Sequence, residues 1–292
     1  MAKEFIECVP NFSEGTNAAV LAAIEAAIRS VDGALLLGRE ADADHNRSVF
    51  TLAGPGEAVM EAAVRAAVVA AERIDLRRHA GVHPRIGAAD VIPFIPLAGS
   101  TMEACVVLAG RAAEEIWRRA GVPSYLYEFA ARRPERVNLE AVRKIGFEGL
   151  LRGGVVPDVG GPGVHETAGA CAVGARRILI ACNVNIEGDR AAAARIAKSV
   201  RASSGGFPYV KALGLRLPTR GLAQVSMNLT RYEVTGLGAV LRRIVELDGQ
   251  VHSTEIIGFP PQAALEGAEE FLAVCENWGA ERVLENRISA LR

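Results

Sequence analysis

HAGVHPRIGAADVIPFIP, running from His79 to Pro96, sets two histidines, an arginine, two glycines and an aspartate ahead of an apolar run. Gly81, Pro84 and Gly87 prevent a regular helix, while Val91, Ile92, Phe94 and Ile95 read as a buried strand. A polar, histidine-bearing loop that feeds a core strand suits chemistry. The scaffold fixes the strand, and the strand aims the loop.

Upstream, a strand at Glu4–Val9 stops at Pro10. A helix follows from about Asn17 to Val31, capped by Thr16, with Val20, Ile24, Ala27, Ile28 and Val31 on one stripe. Ala34–Leu37 and Ser48–Ala53 read as strands around the polar loop GREADADHNR. A second helix, Glu57 to Arg73, turns Met60, Val64, Ala67, Val68 and Ala71 inward. Val91–Pro96 then closes a β-α-β-β-α-β order, a split βαβ or ferredoxin-like unit.

Downstream, a helix at Thr101–Ala120, stopped by Gly121 and Pro123, precedes a strand at Ser124–Glu128. Ala131–Gly149 is charged and reads as loop or short helix, and a glycine-rich run fills Gly153–Gly169. The second half repeats the topology. Strand Ile178–Asn185 leads to helix Arg190–Ser203, and strands Val210–Leu217 and Ala223–Leu229 flank the turn PTRG. Helix Gly236–Leu247 and strand Val251–Gly258 complete the order. The expected fold is α/β (α+β), with two subdomains at 1–177 and 178–292. Each is a split βαβ unit with a mixed sheet and helices on one face. The glycine-rich run then lies at their junction, a preferred place for a ligand cleft.

Composition narrows the function classes. A chain of 292 residues with 50% hydrophobic content can bury a large core. A net charge of −1 offers no basic field for nucleic acid and no polybasic membrane signal. No apolar run reaches the ~18 residues of a membrane span, and MAKEFIECVPNF has no signal-peptide core. Cys8, Cys105, Cys171, Cys182 and Cys275 are scattered and form no CxxC pair, which argues against a disulfide framework or a zinc site. The expectation is a cytoplasmic globular protein without a metal.

His83 is open to two readings: a general acid and base, or a loop histidine satisfied by a backbone carbonyl. His79 has the same alternatives, and it follows Arg77 and Arg78 at a helix end. Asp90 is placed to orient a histidine or to cap the loop. In the loop Arg39–Arg47, a carboxylate could pair with a cationic substrate group and Arg47 could grip a carboxylate. A solvated hairpin with local ion pairs competes with that reading. His45, Asp42 and Asp44 are too few for a hard-oxygen metal loop. The run Pro157–Gly169 lacks GK[ST] and a GxGxxG between strand and helix, so it is no phosphate loop. No GxSxG elbow or cysteine signature supports covalent catalysis.

ECVPNFSEG (Glu7–Gly15), HNRSVFT (His45–Thr51), the opening stretch, YLYEFAA (Tyr125–Ala131), PDVG (Pro157–Gly160), TAGACAVGAR (Thr167–Arg176) and LAQVSMNL (Leu222–Leu229) together resemble the glutamate formiminotransferase family. This is the transferase part of formiminotransferase-cyclodeaminase. The resemblance covers nearly the whole chain and leaves no cyclodeaminase segment. It implies transfer of a formimino group from N-formimino-L-glutamate to N5 of tetrahydrofolate in histidine degradation, by a homodimer of two-subdomain chains. Tetrahydrofolate is then a co-substrate, and no metal is needed. The family's catalytic histidine falls on His83. Its folate-contacting segment falls on Gly160, Gly161, Pro162, Gly163, Val164, His165, Glu166, Thr167, Ala168 and Gly169, where the animal enzymes carry serine and aromatic residues. An acidic-loop aspartate corresponds to Glu40, and Arg47 or Arg85 is left to grip a glutamate carboxylate. Two rivals remain: an N-formylglutamate:tetrahydrofolate formyltransferase, and a folate-binding module without turnover.

Overall fold

The computed structural model describes residues 4–153, 155–248 and 251–291. It divides into two compact units between Arg176 and Arg177. In the first, β1 (Ile6–Cys8) and β2 (Asn11–Phe12) are one strand interrupted at Pro10, followed by α1 (Ala18–Arg29). Asn17, not Thr16, caps α1, accepting from the N–H groups of Ala19 and Val20, while the Thr16 hydroxyl donates to Glu14. Then come β3 (Leu35–Asp42), β4 (Arg47–Gly54), α2 (Gly56–Arg73), β5 (Ala89–Pro96), α3 (Met102–Ala120) and β6 (Ser124–Glu128). The charged segment forms short helices, α4 (Leu139–Arg143) and α5 (Gly146–Leu151), and β7 (Cys171–Ala175) ends the unit.

The described residues of this unit form a seven-stranded mixed sheet. β3, β4, the β1/β2 strand and β5 pair antiparallel in that order, as a split βαβ unit requires. β7 joins parallel to β5, with β6 parallel beyond it. Alternation puts Phe50, Leu52, Ile92 and Phe94 on one face, where they pack with α1, α2 and α3. The opposite face carries polar groups. Directly paired residues share a face, so Glu40 lies beside Val49 and Asp42 beside Arg47. The polar stretch expected as a loop is therefore mostly strand, leaving a four-residue turn, 43–46.

A bulge interrupts this regularity. Asn11 pairs with Val91 and Phe12 with Ala89, so Asp90 is the extra residue on β5. Its carboxylate has no exposed surface. Oδ2 accepts from Arg47 Nη1 at 2.8 Å and Arg143 Nη2 at 2.5 Å, and Oδ1 accepts from the Ile86 N–H at 2.8 Å. Burial alone would raise this carboxyl's pKa. The Arg143 and Arg47 guanidiniums overcome that and hold it well below the usual carboxylate range.

The second unit is built from β8 (Ile180–Ile186), α6 (Arg190–Val200), β9 (Val210–Leu217), β10 (Leu222–Leu229), α7 (Leu237–Asp248) and β11 (Val251–Ile257). Its described strands lie in the order β11-β8-β10-β9, antiparallel throughout, so mixed pairing is confined to the first unit. Two further helices follow, α8 (Glu269–Leu272) and α9 (Leu284–Leu291); Ala264 and Leu265 ahead of them and Phe271 of α8 add to the core. Away from α6 and α7, Asn185 donates to Ser253 and Glu255, Gln224 donates to Asn185, and Arg220 bridges Glu255 and Glu276. No helix of the described residues is long and apolar enough to cross a membrane.

Two stability predictions follow from the first unit. Asp90→Asn leaves two guanidiniums without their shared carboxylate and should cost about 3–5 kcal/mol. The readout is the shift of the first unit's transition in urea, and a loss below about 1 kcal/mol contradicts the role given to the pair. Gly169 has φ +70°, and a Cβ there would lie 2.1 Å from the Ile86 carbonyl oxygen. Gly169→Ala should therefore cost about 2 kcal/mol or more in the same titration.

Candidate active site

Two backbone segments grip the His79–Pro84 loop. On one side stands the turn joining β3 to β4. The Val82 N–H donates to Asp44 O at 3.1 Å, and the Asn46 side chain donates to Ala80 O at 2.9 Å. Asn46 adopts φ +46°, a conformation its residue type tolerates, which turns its carbonyl toward the His79 ring. Gly81 is required at this contact, since a Cβ there would meet the His45 carbonyl oxygen at 2.4 Å. On the other side runs the glycine-rich segment. Ala88 donates to Ala168 O, Ala170 to Ile86 O, and Leu76 to Thr167 O, all within 3.0 Å.

His83 sits between these supports. Its Nδ1 lies 2.8 Å from the Pro84 carbonyl. A carbonyl can only accept, so Nδ1 carries the proton and Nε2 is the nitrogen left to take one. Burial, then the Arg47 and Arg143 guanidiniums, hold the imidazole well below its ordinary pKa. It is therefore neutral at pH 7. The His45 ring meets it edge-on, with centroids 6.1 Å apart, and His45 is buried with Nδ1 3.1 Å from Asp42.

His79 serves differently. Nε2 lies 2.8 Å from Asn46 O, so it ties the loop to the turn, and burial keeps this imidazole below its ordinary pKa as well. Of the other expected residues, Arg47 donates to Asp90 and, through Nε and Nη2, to Asn11. Burial brings its pKa down to about 10. Arg85 donates to the carbonyls of Leu76 and His79 and pairs with Glu148 at 2.9 Å, with its guanidinium over Phe147. Glu40 stands half-buried on the polar face of β3. Arg85 thus braces the loop that holds His83 directly, and Arg47 does so through Asp90, which accepts from the Ile86 N–H.

The segment Gly160–Gly169 divides in two. Gly160 and Gly161 lie against Trp117, with Pro162 and Gly163 exposed beyond them. Val164 packs with Val91, Tyr125 and Tyr127. His165 Nδ1 accepts from the Ala168 N–H, reciprocal His165–Gly169 backbone bonds close the turn, and Glu166 pairs with Arg77 at 2.7 Å. Asp158 of PDVG, almost fully buried, pairs with Arg136 and accepts from the Leu126 N–H. Sequence reasoning missed Arg143 and Asn11 as parts of this site. Arg143 lies 53 residues from its partner Asp90 in a segment distinguished only by charge, so no local signal marks it. Among the described residues, no group of three or more histidine, cysteine, aspartate or glutamate side chains is placed to hold a metal ion.

A family model described as the formiminotransferase domain, N-terminal subdomain, matches residues 5–176, and one described as the formiminotransferase domain matches residues 181–285. A glutamate formimidoyltransferase of Streptococcus pyogenes is 43% identical over 298 residues, covering 99% of each chain. One of Thermoplasma acidophilum is 38% identical over 97% of each chain. The formimidoyltransferase-cyclodeaminase of Rattus norvegicus is 38% identical over 98% of this chain, which spans 56% of that protein. The neutral, carbonyl-anchored histidine thus belongs to a transferase, and the chain is a member of the formiminotransferase family.

Proposed function

We propose that this protein transfers the formimino group of N-formimino-L-glutamate to N5 of tetrahydrofolate, with His83 moving the proton. The observation that carries the proposal is the His83 imidazole itself, neutral, with Nδ1–H tied to Pro84 O and Nε2 left as the base. N5 attacks the formimino carbon, which is electrophilic because the amidine is cationic. A new C–N bond forms, and Nε2 takes the proton that N5 loses. His83 then returns this proton to the glutamate nitrogen as the old C–N bond breaks, giving 5-formiminotetrahydrofolate and L-glutamate. An imidazolium of depressed pKa is a strong acid, which suits protonation of a poor amine leaving group.

Glu40, on the same sheet face as Arg47, supplies a carboxylate toward the cationic amidine. Arg47 and Arg85 keep the catalytic loop in place and add positive charge near a glutamate carboxylate. Tetrahydrofolate takes its place along Gly160–Gly169, where Pro162 and Gly163 offer exposed backbone and the space above Gly163 is open. The proposal includes a cytoplasmic homodimer acting in histidine degradation without a metal, as the family resemblance implies.

His83→Ala should lower kcat by about 10²–10⁴-fold while folate affinity changes little, and near-wild-type turnover would sink the assignment. The pH profile carries a sign. His83 must be unprotonated to accept from N5, and its folded pKa lies below the ordinary value of about 6.5. The acid limb of kcat/KM should therefore fall below pH 6.5, with activity flat through neutrality, and a limb at 7 or above contradicts the mechanism. Glu40→Gln should reduce kcat/KM for the formimino donor about tenfold or more. Transfer from a neutral formyl donor should not respond to that change, so comparing the two donors checks the role of the charge.

A further inference from the structure

We propose that Arg143 is the residue that binds a carboxylate of the donor beside His83, an inference that rests on the transfer reaction proposed above. Three arginines surround the catalytic loop, and their hydrogen bonds differ. Arg47 gives protons to Asp90 and twice to Asn11. Arg85 is held by two carbonyls and Glu148. Arg143 has one acceptor among the described residues, Asp90 Oδ2 at 2.5 Å, and shares it with Arg47. Its Nε–H is buried with no acceptor, and Nη1 has none among the described residues.

A guanidinium has five N–H donors in a planar fork. Leaving most of them unmet in a side chain only 15% exposed is costly unless a ligand completes the set. The charges agree. Around Asp90 the balance is two guanidiniums, one carboxylate and a neutral His83, a net positive charge suited to one further anion. Position agrees too. Arg143 ends α4, which Val142 anchors in the cluster with Val91, Tyr125 and Tyr127, so the fork is held on rigid structure. Arg143 is also near enough to act on the His83 imidazole. A fork-on-carboxylate contact there fixes the donor with its formimino carbon at the base.

The test compares donors as well as variants, using the full-length purified protein with tetrahydrofolate as acceptor. Formiminoglutamate is set against its two monoamides, in which either the α- or the γ-carboxylate is neutralised. Wild type should prefer the diacid over one of these monoamides by about tenfold or more. Arg143→Gln should raise KM for the diacid, leave KM for tetrahydrofolate unchanged, and level that preference. A uniform fall in kcat/KM for all three donors indicates a role in holding Asp90 only and overturns the proposal, as does an unchanged preference. Should the glutamine variant not fold, Arg143→Lys decides. It keeps a cation for Asp90 but loses the fork, so a reduced preference supports the contact and a wild-type preference refutes it. If wild type transfers from none of the donors, the reaction itself is wrong and the inference falls with it.

Discussion

A buried charge must be paired where it stands, and in the first unit that charge is Asp90. Its three donors come from three otherwise separate pieces: Arg47 on β4, Arg143 at the end of α4, and the Ile86 N–H at the close of the histidine-bearing loop. Drawing them to one point holds the loop beside the turn between β3 and β4 and brings the end of α4 to it. The bulge makes this possible. In an unbroken ladder Asp90 would face the apolar side with Phe94 and Ile92, where no partner exists.

The same charges set the chemistry. Asp90 neutralises one of its two guanidiniums, and the remaining positive charge, added to burial, keeps the His83 imidazole neutral. The hydrogen bond to Pro84 then decides which nitrogen is left without a proton. Geometry and protonation state therefore share one origin. The two neighbouring histidines face other acceptors. His79 ties the loop to the hairpin turn through Asn46, and His45 is turned toward Asp42. Three histidines within one loop cluster thus hold three different positions, fixed by the acceptor each one faces.

Much of the fold is legible in the sequence because it follows from periodicity. The apolar run Val91–Pro96 and the stripes of α1 and α2 specify a split βαβ unit, and the pattern repeats in β8 to β11. That His83 stands in a loop is legible as well, since glycine and proline around it exclude a helix. What escapes is non-local or low in contrast. β7 reads CAVGA, small residues without β-branched bulk apart from Val173, yet it lies buried between β5 and β6. The polar loop Gly38–Arg47 hides the last residues of β3, because only register shows that its charges alternate across one face. Arg143 depends on a contact 53 residues away, and the bulge at Asp90 on the pairing of Asn11 with Val91, farther apart still, which no window can contain.

The central claim is that His83 is a neutral imidazole with its proton on Nδ1. Nitrogen NMR of the histidine rings in the folded protein at pH 7 reports this directly, with His83 assigned by its loss in His83→Gln. The account predicts a neutral ring with protonated Nδ1 and bare Nε2, unchanged as the pH is lowered toward 6.5. An imidazolium signal, or a proton resting on Nε2, would contradict it.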